Sequence, residues 1–493
     1  MNSLKMASTQ VTARTQLESV CDPDSFIELD ATVEHECRHF GADKRRIPGD
    51  GLITGWGRVK GRFVAVYAHD DQFLKGSSSA THARKLSKLY KLALKRGCAI
   101  IGINNSSGIR LHEGVDAGVE FGEVFYLAVQ ASGVIPQISI VVGECAGGAS
   151  YVPALTDIII MIKDKSALFL TGPSVIQVAT GERVTTQQIG GVDVHSKITG
   201  LAHFVVEDEK QAATLAREIY EFLPENNTAS VAGHRTELPI EASRNGIDIS
   251  SIIPKDPSEP YDVRDVVFSF ADDEYLLEFH RDYAPNIVTG LVRIDGTTTG
   301  VIANQSLHRA GCLDVDASAK GARFVRFCDA FNLPIVTILD VPGYYPGLEQ
   351  ETGGIIGAGA KLLHAYCEAT VPKIAIVLRK AYGGAQPTLC NRWATDLIYA
   401  LPTAEISIMA PRAAVEVIFR RELSNSENPD ETRRVRTQEY RAAHASAEYS
   451  ARRGFIDGLI EPQHIRETIK NALAFLSTKI NGRPWRKHSN IQL

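Results

Sequence analysis

A glycine pair where a buried strand turns into a helix leaves main-chain N–H groups open to a ligand, with no Cβ in front of them. This chain carries that arrangement twice, about 235 residues apart. Pro136-Gln-Ile-Ser-Ile-Val-Val142 runs into Ala146-Gly147-Gly148-Ala149, and Pro372-Lys-Ile-Ala-Ile-Val-Leu378 runs into Tyr382-Gly383-Gly384-Ala385. The start of a helix also carries roughly half a unit of positive charge. Such a turn suits an oxygen that becomes negative in a transition state, as a thioester carbonyl does when its α-carbon is deprotonated. The donors are then peptide groups, so no His, Ser or Asp constellation has to accompany them. One Gly-Gly after a strand is more often a tight turn or a close packing point. Two at matching places in a repeat favour the chemical reading.

Other candidates are weaker. Neither pair fits G-x-G-x-x-G or G-x-x-x-x-G-K-S/T, which argues against dinucleotide binding and a P-loop. His82, His112, His308 and His364 are scattered, without a shared carboxylate or an H-x-x-x-H spacing. Glu113, Glu349 and Glu351 are loop carboxylates that could serve as bases, although loop carboxylates are commonly just solvated. The eight cysteines contain no C-x-x-C pair, so reduced, packed thiols are expected and no metal site.

The elements that must position these turns repeat as well. Thr54-Gly55 with Gly61 is echoed by Thr289-Gly290 with Gly296, and Gly76 by Gly311. Leu168-Phe-Leu-Thr-Gly-Pro173 is echoed by Ile406-Ser-Ile-Met-Ala-Pro411. Several matches at nearly constant offset point to two homologous domains. In the first, a hairpin over 52–67 precedes a helix over 82–94 with Leu86, Leu89, Tyr90 and Ala93 on one face. Ala99-Ile-Ile-Gly-Ile103 reads as a strand buried on both faces, followed by a helix over 118–132 and a strand over 135–142. The same order restarts with a hairpin over 290–303, a helix over 317–331, a strand over 334–339, a helix over 358–369 and a strand over 373–378. The alternation implies an α/β fold. Residues 1–50 read as a helical arm with no core pattern of its own, 51–238 as the first domain, 239–262 as a Pro-rich linker and 263–493 as the second domain. The charged helices after Arg420 are expected to pack across a subunit interface or onto the other domain.

Bulk properties agree with an ordinary soluble globular protein. The chain has 493 residues, 44% hydrophobic and 23% charged, and a net charge of -5, which gives no reason to expect nucleic acid or an acidic membrane surface. No apolar run approaches the roughly 18 residues of a membrane span. The first residues lack a secretory core but are Ser/Thr-rich and mildly basic, so cytoplasm is expected, with an organellar matrix second.

From about Asp50 to Arg483 the chain resembles the β subunits of biotin-dependent propionyl-CoA and acetyl-CoA carboxylases, a family of acyl-CoA carboxyltransferases. The resemblance is carried by Cys145-Ala-Gly-Gly-Ala149, Pro153-Ala-Leu-Thr-Asp157, Asp340-Val-Pro-Gly343, Gly353-Gly-Ile-Ile356 and Arg379-Lys-Ala-Tyr-Gly-Gly-Ala385. It implies two tandem crotonase-like domains of the ClpP/crotonase superfamily, each a β-β-α superhelix. It further implies carboxyl transfer from carboxybiotin to the α-carbon of a short acyl-CoA, through two backbone oxyanion holes. Gly147 and Gly148 would hold the thioester oxygen, and Gly384 and Ala385 the ureido oxygen of biotin. Gly76, Ser77, Gly108, Arg110, Ala146, Ala149, Gln386 and Pro387 would bind the acyl substrate. Gly343, Tyr344, Gly353, Gly354, Tyr382 and Gly383 would bind biotin. The family assembles as a hexamer and receives biotin from a carrier. None of the four methionines here sits in the carriers' Ala-Met-Lys-Met motif, so a biotin carboxylase and carrier partner is implied.

The chain departs from the family pattern at Leu74-Lys-Gly-Ser77, at Asn104-Asn-Ser-Ser-Gly-Ile-Arg110 and at Gln386-Pro-Thr-Leu389, where the family commonly has Phe-Gly-Gly-Ser, Asn-Asp-Ser-Gly-Gly-Ala-Arg and Tyr-Asp-Val-Met. The last of these segments lines the acyl pocket in the family. Alternatives are a carboxyltransferase subunit of a decarboxylase running in reverse, a crotonase-like hydratase or isomerase, and a catalytically silent scaffold. No Glu pair lies at matching places in the repeat, which argues against the hydratase.

Overall fold

A computed structural model describes residues 12–229, 249–480, 482 and 484–492. The chain divides into two compact units, Met1–Ala229 and Ser230–Leu493. In the first, strands β1 (Ile27–Leu29), β2 (Leu52–Val59), β3 (Arg62–His69), β4 (Ala99–Ser106), β5 (Gln137–Ala146), β6 (Ile158–Ile162), β7 (Ala167–Phe169) and β8 (Phe204–Val206) make one sheet. Its order is β1-β2-β3-β4-β5-β6-β8, with β7 paired to β5 beyond β6. The second unit repeats this with β9 (Leu277–Phe279), β10 (Ile287–Ile294), β11 (Thr297–Asn304), β12 (Ile335–Val341), β13 (Lys373–Tyr382), β14 (Leu397–Ala400), β15 (Glu405–Ser407) and β16 (Gly458–Leu459). Here the order is β9-β10-β11-β12-β13-β14-β16, and β15 pairs with β13 as β7 does with β5.

The expected hairpins are β2–β3 and β10–β11, both antiparallel, and each feeds a parallel layer through a helix. Ala99 to Ile103 are all buried, because β4 lies between β3 and β5 under the helix Ala80–Arg96. That helix starts where Ser79 Oγ accepts the His82 N–H and stops at Gly97, whose φ of +69° ends it in the left-handed region. Its inner face is the expected Leu86, Leu89, Tyr90 and Ala93. In the second unit Asp314 caps the helix Val315–Ala330 at the Ala317 N–H.

Three boundaries differ from expectation for physical reasons. Residues 12–50 are not a separate arm. Leu17 and Val20 of the helix Ala13–Val20 are buried, β1 pairs with β2, and Asp50 is wholly enclosed. The expected linker lies partly outside the described residues. From Ile249 onward it belongs to the second unit, where the Tyr261 N–H donates to Ser306 Oγ at 2.9 Å. The last long helix, Ile465–Phe475, contributes to the second unit's own core, where Ile465 and Ile469 join Val288, Val336 and Ile374.

The duplication extends to two buried lysines at the same offset. Lys85 Nζ donates to the carbonyls of Gly49 (3.0 Å) and Leu52. Lys320 Nζ donates to those of His280 (2.9 Å), Tyr283 (2.8 Å), Ala284 (3.3 Å) and Ile287 (2.8 Å). Burial pulls the two groups down to about 8 and about 7. The carbonyl cage opposes that pull, since an ammonium offers three N–H donors to these acceptors. Each lysine pins the segment entering the hairpin onto the first crossover helix. Lys320→Met leaves four carbonyls without that donor and should destabilise the second unit by about 3 kcal/mol, read as a lowered midpoint in urea unfolding.

Candidate active site

Strand β13 ends at Tyr382, and the chain then turns through Gly383 at φ +60°. The Gly383 N–H is used, donating to the Ser407 carbonyl at 3.0 Å as the last bond toward β15. The next residues, Gly384 and Ala385, open the short helix Ala385–Leu389, and no side chain caps it. Their N–H groups therefore begin a turn without intrahelical partners. Gly384 is exposed and has an ordinary φ of -66°. The Tyr344 ring stands 3.6 Å from the point a Gly384 Cβ would occupy. Thr388 Oγ1 donates to the Gly384 carbonyl at 2.8 Å, so the Tyr344 hydroxyl, 2.9 Å away, donates to Thr388. Burial raises the Tyr344 hydroxyl, and the Thr388 contact works against it.

The first unit builds the same turn with different side chains. Strand β5 ends at Ala146, Gly147 turns at φ +56°, and a tight turn over Gly147–Ser150 leads into the helix Tyr151–Ala154. Ser150 Oγ donates to the Gly147 carbonyl at 2.7 Å. Ile109 Cγ1 lies 3.1 Å from a Gly148 Cβ, so Ile109 occupies the place of Tyr344. The equivalence is topological too, because Ile109 bridges to Ser78 and Tyr344 to Leu313. Gly147 thus matches Gly383, and Gly148 and Ala149 match Gly384 and Ala385. The expected pairs Gly147–Gly148 and Gly384–Ala385 are one residue out of register, since glycine doublets alone do not reveal which N–H closes the strand.

The expected acyl-side residues Gly76, Ser77, Gly108, Ala146, Gly147, Gly148 and Ala149 belong to this one end of the first sheet. Gly76 is obligatory: at φ +62° its Cβ would lie 2.2 Å from the Asn105 carbonyl. Gly108, at φ +105°, lets the loop approach the Ala146 carbonyl, 3.1 Å from a Cβ. Arg110 is different. It is 1% exposed, and its guanidinium donates to Asp50 Oδ1 at 2.8 Å, to Ser77 Oγ at 3.2 Å and to the Ser77 carbonyl at 3.0 Å, with Glu113 at 3.4 Å. It is not available to a ligand and instead ties the Gly76-Ser77 loop to the Gly108 loop. Asp50 also accepts from Ser79 at 2.5 Å. His82 Nε2 contacts the Asp50 carbonyl at 2.5 Å, and burial, with His69 and Arg110 nearby, keeps its ring neutral. Sequence reasoning missed Asp50, which lies 60 residues from Arg110 and carries no local signal.

In the second unit the loop bearing Gly343 and Tyr344 is tied to the strand bearing Gly383 by a buried ion pair. Arg379 Nε and Nη2 sit 2.9 and 2.7 Å from Asp340 Oδ2. Arg379 also donates to the carbonyls of Asp256 (3.0 Å) and Glu259 (2.8 Å), under the Tyr261 ring at 4.6 Å. The matching positions in the first unit are Asn105 and Gly143, where the Asn105 side chain lies across the glycine. Tyr382, expected on the biotin side, donates its hydroxyl to Glu405 at 2.6 Å. Gly353 and Gly354 are exposed at the start of the helix Ile355–Glu368, which meets Tyr344 at Gly359. Gln386 folds onto the Cys390 carbonyl at 3.1 Å, and Pro387 is exposed in the first turn, where its missing N–H costs nothing. Glu349 and Glu351 are exposed on the short helix Leu348–Thr352. Among the described residues, no three His, Cys, Asp or Glu groups could hold a metal ion, and no helix is long and apolar enough to cross a membrane.

Asp340→Asn should keep the shape but leave Arg379 a buried cation without its counter-charge. We expect turnover to fall about tenfold or more and the unfolding midpoint to drop. Unchanged steady-state kinetics would show that the ion pair does not position the turn.

Known proteins place this geometry. The carboxyl transferase domain family model matches residues 5–491. The chain is 44% identical over 488 residues to the methylmalonyl-CoA decarboxylase subunit alpha of Veillonella parvula, covering 99% of this chain and 94% of that one. It is 43% identical over 490 residues to the propionyl-CoA carboxylase beta chain of Cereibacter sphaeroides, covering 98% and 94%. Among solved structures, the transcarboxylase 12S hexamer with hydrolysed methylmalonyl-coenzyme A bound superposes with a TM-score of 0.93 at 43% identity, covering 98% of this chain and 93% of that one. The two sheets with their paired glycine turns are the tandem crotonase-like domains expected from the sequence, and the chain belongs to the carboxyl transferase domain family as an enzyme subunit that transfers carboxyl groups.

Proposed function

We propose that the chain moves a carboxyl group between biotin, carried on a separate protein, and the α-carbon of a short acyl-CoA of the propionyl type. The observation that carries this reading is the turn after Gly383, whose own N–H is spent on the sheet before Gly384 and Ala385 open a helix that no side chain caps, repeated in backbone form at Gly147, in a chain 43% identical to a propionyl-CoA carboxylase subunit. The N–H groups of Gly148 and Ala149 would hold the thioester oxygen as negative charge builds on it, lowering the cost of removing the α-proton. The N–H groups of Gly384 and Ala385 would do the same for the ureido oxygen of biotin. The residues fit that group: Gly384 is exposed, and the Tyr344 ring lies beside it. Biotin, when bound, supplies the carboxyl group in transit and accounts for the lack of a side-chain base. Gln386 and Pro387 line the turn where acyl choice would be made.

A biotin carboxylase and carrier partner follows from this reading, as does assembly of several copies. Large apolar side chains stand exposed near both turns: Leu111 (89%), Val178 (89%), Trp393 (96%) and Ile408 (86%). Surfaces of that kind need covering. Eight free cysteines fit a reducing compartment such as the cytoplasm. The same site run toward biotin is the second reading, favoured by the 44% identity to a methylmalonyl-CoA decarboxylase subunit.

The test combines the oligomeric chain with a biotinylated carrier, biotin carboxylase, ATP and bicarbonate, and measures carboxylated product from a panel of acyl-CoAs. We expect propionyl-CoA to be among the best. No product from any, with no loss of carboxyl from methylmalonyl-CoA in the reverse assay, would sink the reading. Gly148→Val and Gly384→Val, both at ordinary φ, should each cut turnover about a hundredfold. Gly147 and Gly383 are poorer tests, since a side chain at φ near +60° disturbs the turn itself.

A further inference from the structure

We propose that the C-terminal tail, residues 484–492, is a positioning strap that holds the helix Ile355–Glu368 and through it the Gly384–Ala385 turn. Calling that turn the biotin side rests on the function proposed above; the mechanical claim does not.

The helix needs an external hold. It opens Ile355-Ile-Gly-Ala-Gly359, and each helical glycine costs about 1 kcal/mol relative to alanine. Its glycine-rich half is also the half that meets the site, because the Tyr344 hydroxyl lies 2.7 Å from a Gly359 Cβ. Any drift of this helix moves Tyr344, and Tyr344 donates to Thr388, which donates to the Gly384 carbonyl.

The tail binds one end of this helix and passes close to the other. Before it begins, Lys479 is anchored on the Val371 carbonyl at 2.9 Å and on Asp396 at 2.8 Å. Glu368, in the last turn, then takes Arg486 at 2.5 Å and Ser489 Oγ at 2.8 Å from the tail, and Arg326 at 2.7 Å from the neighbouring helix Val315–Ala330. Burial would raise this carboxyl, yet the Ser489 hydrogen bond and the two guanidinium charges hold it below its ordinary range. Near the other end, Gln492 Oε1 lies 3.0 Å from a Gly357 Cβ. Beside Glu368 the tail lines an open pocket of about 500 Å³ that includes Arg326, Asp329, Glu368 and His488 in its lining. The tail thus holds this helix by polar contacts at Glu368, beside an open pocket, and not by packed core. Polar ties of this kind are removable without emptying the hydrophobic interior, which marks a positioning element rather than a folding one.

Two full-length-derived variants test this: deletion of residues 485–493, and Glu368→Gln in the complete chain. Hydrogen exchange should rise about tenfold in 355–368 and 385–389 on deletion, with 137–154 in the other unit unchanged. Glu368→Gln should give a smaller rise in the same segments. In the transfer assay, KM for the biotinylated carrier should increase about tenfold while KM for the acyl-CoA stays within about twofold. Unchanged exchange in 355–368, an equal rise in both units, or the two KM values moving together would overturn the strap. Exchange requires no turnover, so a chain that transfers no carboxyl group would refute the proposed function and leave the strap standing.

Discussion

The arrangement depends on where a central parallel strand makes its last hydrogen bond. In the second unit that bond runs from the Gly383 N–H to the Ser407 carbonyl. One residue earlier the chain is still sheet. One residue later the peptide groups have swung out of the ladder, and among the described residues no side chain caps them. Only a left-handed residue reverses the chain this sharply, and glycine does so without a Cβ penalty. The same residue type, sign of φ and strand end recur at Gly147.

A turn with free donors is useful only if it is held still, and the two units hold it differently. In the first, the buried Arg110–Asp50 pair joins the loops at Ser77 and Gly108. In the second, Arg379–Asp340 joins the Tyr344 loop to the strand that ends at the glycines. Buried pairs of this kind contribute little net stability against an apolar replacement, yet losing one partner is expensive. They are better understood as fixing geometry. Gly143 lies where Arg379 does, with the Asn105 side chain across it, so the copies keep one backbone and differ in what braces it. Ile109 against Tyr344 is the same divergence at the turn itself.

Much of the element order was legible in the chain, because buried parallel strands are continuous apolar runs and their crossover helices show one apolar stripe. The hairpins, the strand Ala99–Ser106 and the helix Ala80–Arg96 follow from those patterns. The first 50 residues were misjudged because a three-residue strand and an eight-residue helix carry too little periodicity to signal burial. Ile465 and Ile469 were obscured by the charged sequence around them, though spacing of four puts both on one face. Arg110 was expected to bind substrate from the family resemblance, and nothing local in the sequence shows that its partner is Asp50.

By itself the sequence determined the duplication, the α/β alternation and the position of both glycine turns, since these are local patterns of residue type and spacing. Tertiary structure alone decided which peptide group of the second turn is spent, because that depends on Ser407, a strand away from Gly383. It also decided that Arg110 faces Asp50 and that the C-terminal tail lies along the helix behind Tyr344. Those contacts join residues 60 or more positions apart, as in Asp50–Arg110 and Glu368–Arg486. A pairing at that distance is set by how the sheets and helices pack, and leaves no period in the chain to read.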